Sequence, residues 1–185
     1  PFPPSVNTIL LGNIVGISSV LFLLAWPSLW GYRIRDTMRH IGIFIDSFRR
    51  LLRDVCLGPI SYLGFLPILF LVMFFYSLVL MAFHIDTQQG AHPVVPLLAQ
   101  NKDFRVFLLV GFLAVVVAPN TEEIMFRGAF YSWLRTHLRP LPAIVFSGFV
   151  FALVHPQGLL GLVPLTAIGC LLAYLREWRG SLVSP

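Results

Sequence analysis

Val106-Phe107-Leu108-Leu109-Val110-Gly111-Phe112-Leu113-Ala114-Val115-Val116-Val117-Ala118-Pro119-Asn120-Thr121-Glu122-Glu123-Ile124-Met125-Phe126-Arg127-Gly128 is the stretch on which the reading of this chain turns. From Val106 to Ala118 it carries no charge, and the apolar segment runs on to about Leu138. That is long enough to cross a hydrocarbon core. Two glutamates and an arginine interrupt it. Each ionised group at bilayer depth costs on the order of 3 kcal/mol on insertion scales. Three such groups kept together at this cost point to a function rather than to chance.

The rest of the chain agrees with a membrane setting. Of its 185 residues, 57% are hydrophobic and 11% charged, against about 25% charged in a soluble domain. The apolar runs are continuous and not alternating, so the spans are helices and not barrel strands. We expect an all-α, polytopic transmembrane bundle of about five spans plus the start of a sixth, forming a single membrane domain over residues 1–185. The net charge of +5 is topogenic. Arginines cluster beside apolar spans, as in positive-inside loops, and nucleic acid is not an expected partner. Cys56 and Cys170 are too few and too far apart for a disulfide framework or a thiolate metal site.

The first span is expected from Ile9 to Trp30, with Trp26 and Trp30 at an aromatic belt. No basic region precedes it, so it reads as a span and not as a signal peptide. Between Arg33 and Val55 the apolar residues Ile34, Met38, Ile41, Ile45, Phe48, Leu52 and Val55 alternate in steps of four and three. This predicts one amphipathic helix at the interface, with arginines on its other faces. Such a helix suits anionic lipid, a partner helix or a solvated connector, and the sequence leaves the three open. Ile60 to Phe83 is a second span, and His84 to Asp103 a loop with Pro93 and Pro96. Val106 to about Leu138 is the third segment. Pro119 is expected to interrupt it, with Asn120 capping a fresh helix and Glu123 completing a capping box. Ala143 to His155 is a short fourth segment and Leu159 to Leu175 a fifth, kinked at Pro164. Gly180 to Pro185 reads as the entry to a sixth. Arginines crowd the gaps after the first, third and fifth spans, so segments 31–58, 136–142 and 176–180 are expected on the cytoplasmic side.

Topology then sets depth. Glu122 lies thirteen residues before Arg135, and His155 thirteen after Pro142. At 1.5 Å per residue both sit about 20 Å from the same interface. Two antiparallel neighbours therefore bring a histidine level with a glutamate pair. Glu123 and Arg127 are four apart with the acid first, which suits an ion pair. Glu122, about 100° round the helix, lacks that partner. Acid–base chemistry needs carboxylates in such different settings. Phe151 and His155 are also four apart, so the ring buttresses the imidazole. A Glu–His pair can activate water for attack on a peptide carbonyl. Structural readings stand beside this one. Glu123–Arg127 could lock a helix, Glu122 could answer a helix dipole, and His155 could be a histidine before a proline turn. The coincidence of depth favours catalysis.

His40, His84, His92 and His137 fall at interfaces or in loops without a ligand-type partner at i+3 or i+4. No nucleophile elbow, phosphate loop, dinucleotide fingerprint or Cys-x-x-Cys is present.

The Glu-Glu-x-x-x-Arg at Glu122, Glu123 and Arg127, followed by Phe-x-x-x-His at Phe151 and His155, resembles the CPBP (Abi) family of intramembrane proteases. That family includes the type II CAAX prenyl endopeptidases. The match runs from about Val106 to Pro185 and includes Phe126-Arg127-Gly128. The resemblance implies an intramembrane endopeptidase acting on a membrane-associated peptide or protein, prenylated or not, in a bacterial-type cytoplasmic membrane. It implies that Glu122 and His155 hold and activate water, that Glu123 belongs to the same catalytic group, and that Arg127 and Phe151 support it. It leaves the cofactor open between none and a divalent metal such as zinc. A metal would draw on Glu122, Glu123 and His155, although no His-Glu-x-x-His pair is present. The family's third motif, His-x-x-x-Asn or a variant, has no counterpart after His155 within residues 1–185. A further span beyond Pro185 is the expectation, and oxyanion donors of this kind contribute about 2.7–4 kcal/mol. The rival reading is a non-catalytic membrane module, conferring immunity or docking in a larger complex through the same cavity.

Overall fold

A computed structural model describes residues 6–43, 47–85 and 104–185, and over these it is helical with no strand. The helices are α1 (Val6–Ala25), α2 (Ile34–Ile41), α3 (Phe48–Ala82), α4 (Phe104–His137), α5 (Pro140–Leu153) and α6 (Gly158–Arg179). A 3₁₀ turn, Trp26–Trp30, prolongs α1. Four segments are long and apolar enough to span a bilayer: Asn7–Trp30, α3, α4 and α6, with α5 a shorter apolar helix. Their outer faces expose large apolar side chains, such as Leu21 on α1, Phe70 and Phe75 on α3, and Phe107 on α4. Water would not tolerate so much apolar surface on a monomer; lipid does. This is an integral membrane helical bundle. Most of the expected 84–103 loop, with His92, falls at residues 86–103, outside the described residues.

The single amphipathic helix expected over Arg33–Val55 is instead two pieces. Helix α2 stops at Gly42, whose φ of 87° is left-handed and whose N–H bonds the carbonyls of Arg39 and Met38. Glycine takes that conformation without a Cβ penalty. A new helix begins after Ser47, whose Oγ accepts from the Arg50 N–H at 3.3 Å. It continues without a break through the second span. At 35 residues, α3 reaches about 50 Å, beyond the roughly 30 Å hydrocarbon thickness. The polar surplus at its start carries Arg49, Arg50 and Arg53.

Pro119 does not break α4 either. The preceding turn, Leu113–Val117, is π-helical, and the Ala118 N–H bonds Leu113 O, five residues back. That wider turn absorbs the proline ring and its missing donor. Asn120 is not a cap. Its side-chain N–H donates to Val116 O at 2.7 Å, inside the helix.

Helix α6 is the post on which the others lean. Its lower end ties to α3 through Arg179, whose Nε and Nη2 donate to Asp54 Oδ1 at 2.9 and 2.7 Å. Its upper end meets α3 where Tyr76 OH donates to Leu159 O. Toward α4, Glu177 accepts from Tyr131 OH at 2.9 Å and pairs with Arg135 at 3.1 Å. A small apolar core of Tyr131, Leu134, Ala143 and Ala173 joins α4, α5 and α6. Residues 181–185, read from the sequence as the entry to a sixth span, are not helical. Leu182 N–H donates to Gly42 O at 3.0 Å instead, folding the segment back on α2.

Glycines set the closest approach, between α5 and α6. A Cβ on Gly148 would lie 2.6 Å from Cys170 Sγ and 2.8 Å from both Cys170 N and Thr166 O. One on Gly169 would lie 2.7 Å from Gly148 Cα. Backbone cannot give way as a side chain can. We expect Gly148→Ala to destabilise by about 1–3 kcal/mol, the range for overpacking, read as a lower unfolding temperature in detergent. Gly64→Ala, with open space around it, is the control. Equal stability of both variants would contradict this packing.

Candidate active site

Helices α4 and α5 run antiparallel across the turn at Arg139, which is extended at φ −66°, ψ 159°, with Pro140 opening α5. Pro at the first helical position costs no hydrogen bond. This hairpin is what brings the two sequence motifs together. Glu122 Oε2 lies 3.8 Å from His155 Nε2. That is too long for a direct hydrogen bond and short enough for one water to touch both. The Glu122 side chain is 39% exposed and His155 15%, so the pair lies at the edge of the packed interior.

The imidazole is fixed from its other nitrogen. His155 Nδ1 is 2.6 Å from Phe151 O. A carbonyl only accepts, so Nδ1 carries a proton, and in the neutral tautomer this leaves the Nε2 lone pair facing Glu122. The Phe151 ring lies 4.2 Å from the imidazole, centroid to centroid. Phe151 is itself clamped. Phe126 meets it edge-on at 5.2 Å, and the Arg127 guanidinium sits over its ring, 4.3 Å from the centroid.

Glu123 has a different neighbour. Its Oε1 pairs with Arg127 Nη1 at 3.1 Å. Arg127 is fully buried, and its Nη2 reaches Gly169 O on α6 at 3.4 Å. The local backbone is again π-helical, over Ile124–Phe130, with the Tyr131 N–H bonding Phe126 O. Such wide turns recur at functional sites. So Glu122 faces His155 and Glu123 faces Arg127, although the two acids are adjacent in sequence.

Glu122, Glu123 and His155 do not converge as a three-donor set. Among the described residues, no three His, Cys, Asp or Glu side chains are grouped to hold an ion. The commitment of Glu123 to Arg127 is the reason.

One wall of the site is absent from the sequence reading. Gly12, Asn13 and Gly16 of α1 line a cavity of about 280 Å³ with Ala118, Thr121, Glu122 and Met125 of α4. The signal was present as Gly12-x-x-x-Gly16, a spacing that lets two membrane helices approach closely. A Cβ on Gly16 would come within 3.1 Å of Thr121 Cγ2. His40, by contrast, lines a polar pocket beside Tyr131, Arg135, Arg176 and Glu177, and His137 is exposed, near Thr136 Oγ1 at 2.7 Å.

No curated protein and no solved structure matches this chain. Residues 104–185, the α4–α6 unit that carries Glu122, Arg127 and His155, match the family model described as type II CAAX prenyl endopeptidase Rce1-like, the CAAX protease family that the two motifs resemble.

Proposed function

We propose that this protein is an intramembrane endopeptidase that hydrolyses a peptide bond of a membrane-associated or lipidated peptide, using Glu122 and His155 to activate water. The observation that carries the proposal is the 3.8 Å approach of Glu122 Oε2 to His155 Nε2, which in the neutral ring sets two acceptors around one spot. A water there donates one O–H to the carboxylate and one to the imidazole lone pair. Its oxygen lone pairs are then left for a substrate carbonyl carbon. In the attack, the water oxygen bonds to that carbon and Glu122 takes the proton. Collapse of the tetrahedral adduct breaks the C–N bond, and the proton passes to the leaving nitrogen. His155 holds the water, Phe151 holds His155, and Glu123 with Arg127 braces the helix that carries Glu122.

The water is activated without a metal, because the third potential donor, Glu123, is bound to Arg127. The protease match over residues 104–185 supports the reaction class, and its prenyl endopeptidase description makes a prenylated CAAX peptide the first substrate to try. The arginine-rich segments 31–58, 136–142 and 176–180 favour the cytoplasmic leaflet as the side of cleavage.

The test is direct. Purified protein in liposomes is given a quenched fluorescent peptide ending in farnesyl-cysteine and three further residues, and its unprenylated counterpart. Products are read by mass. We expect one internal bond to be cut and the rate to persist in EDTA and in 1,10-phenanthroline. Loss to chelators with recovery on added zinc would overturn the metal-free mechanism. Intact peptides in the presence of folded protein would favour a non-catalytic binding module.

A further inference from the structure

The matched family segment begins at residue 104, yet one wall of the space beside Glu122 is α1. The cavity there measures about 280 Å³, and its α1 side is Gly12, Asn13 and Gly16. Met125 is shared with a longer groove of about 640 Å³ that runs along α1 past Val15, Ser18 and Phe22. The groove along α1 and the cavity beside the carboxylate thus meet at Met125. The three α1 residues differ in what they meet. Gly16 touches α4 at Thr121, so it sets the helix spacing. Gly12 has nothing within 4 Å of where a Cβ would be, so it opens onto free volume. Asn13 donates one side-chain N–H to Ile9 O at 2.9 Å. That bond fixes the amide and leaves its second N–H and its Oδ1 for a ligand.

We infer that α1 supplies a substrate subsite: a side chain flanking the scissile bond enters the cavity between Gly12 and Glu122, while the Asn13 amide hydrogen-bonds the peptide backbone. The ligand class is an apolar peptide in extended form. Its unpaired N–H and C=O groups need partners at membrane depth, and Asn13 offers both a donor and an acceptor. Gly12 decides how large the entering side chain can be. This rests on the proteolytic reading above.

Two readouts separate the subsite from the reaction. The first uses farnesylated peptides that differ only at the residue next to the cut bond: Ala, Val, Leu or Phe. Gly12→Leu fills free volume and should shift the size preference toward the Ala peptide. It should lower kcat/KM for the Leu and Phe peptides by about 10–200-fold, the range set by one or a few methylene groups in an apolar pocket. Asn13→Ala should weaken all four peptides alike, by about 3–10-fold, as expected for one net hydrogen bond. Gly64→Leu, in open space on α3, should leave the profile unchanged. The second readout needs no turnover. In a Gly12→Cys, Glu122→Gln background, the same peptides should slow modification by N-ethylmaleimide at position 12, quantified by peptide mass. Protection with a shifted size preference supports the subsite. Protection without any cleavage by the parent protein keeps the subsite and removes the hydrolase reading. No protection, or an unchanged preference in a protein that cleaves, overturns the subsite and leaves the hydrolase reading standing.

Discussion

Glu122→Gln lowers the peptide cleavage rate by about 10²–10⁴-fold, the usual contribution of a positioned acid–base group. Glutamine keeps the size and the hydrogen-bonding reach of the side chain but cannot accept the proton of water. The fold should be indifferent. Glu122 is 39% exposed, and its contact with His155 is 3.8 Å and not a direct hydrogen bond. Helix content and unfolding temperature should therefore match the parent. His155→Ala should lose activity on a similar scale, since Nε2 is the second atom that would hold the water. The double variant should be no worse than the poorer single one, because groups that act on one water act as a unit. Initial rates by product mass, beside circular dichroism of the same samples, make the comparison. Undiminished cleavage by E122Q would remove the carboxylate from the reaction.

How that pair could be foreseen, and what could not, follows from the physics. The meeting of Glu122 and His155 was legible because it depends on rise per residue and on the position of one turn. Errors in helix shape largely cancel when two antiparallel helices are measured from the same end. The breaks were less legible. Pro119 looks like an interruption, yet a π turn absorbs it, and no local pattern distinguishes a proline that ends a helix from one that widens it. The Arg33–Val55 reading failed in the other direction. Regular apolar spacing outweighed Gly42 and Ser47, which stop one helix and start the next. The α1 wall was hidden for a different reason. Gly12 and Gly16 are eloquent only once a partner helix is known, and hydropathy says nothing of which span faces which. The ties of α6 to α3 are of the same kind. Asp54 and Arg179 sit 125 residues apart in sequence.

Arg127→Ala should be the most destabilising single change in the α4–α6 unit, by about 3–5 kcal/mol, the cost of leaving one partner of a buried ion pair without the other. The side chain is fully buried and joins three elements at once. Nη1 pairs with Glu123 at 3.1 Å, Nη2 reaches Gly169 O at 3.4 Å, and Cζ lies 4.3 Å from the Phe151 ring centroid. Truncation removes all three contacts and strands the Glu123 carboxylate in the interior. Arg127→Lys should fall between the parent and the alanine variant. It keeps a charge for Glu123, but a single ammonium cannot reproduce a planar fork that also lies over an aromatic ring. The informative comparison is Glu123→Gln with Arg127→Met. Removing both charges and refilling the volume should recover much of the lost stability, because the pair's desolvation cost disappears with it. Cleavage should recover less than stability, since the methionine no longer holds Phe151 by a cation–π contact, and Phe151 supplies the carbonyl that orients His155. Unfolding in a denaturant series measures the first effect and kcat the second. Recovery of both in step would mean that Arg127 serves only the fold; recovery of stability alone would make it a positioning residue for the imidazole.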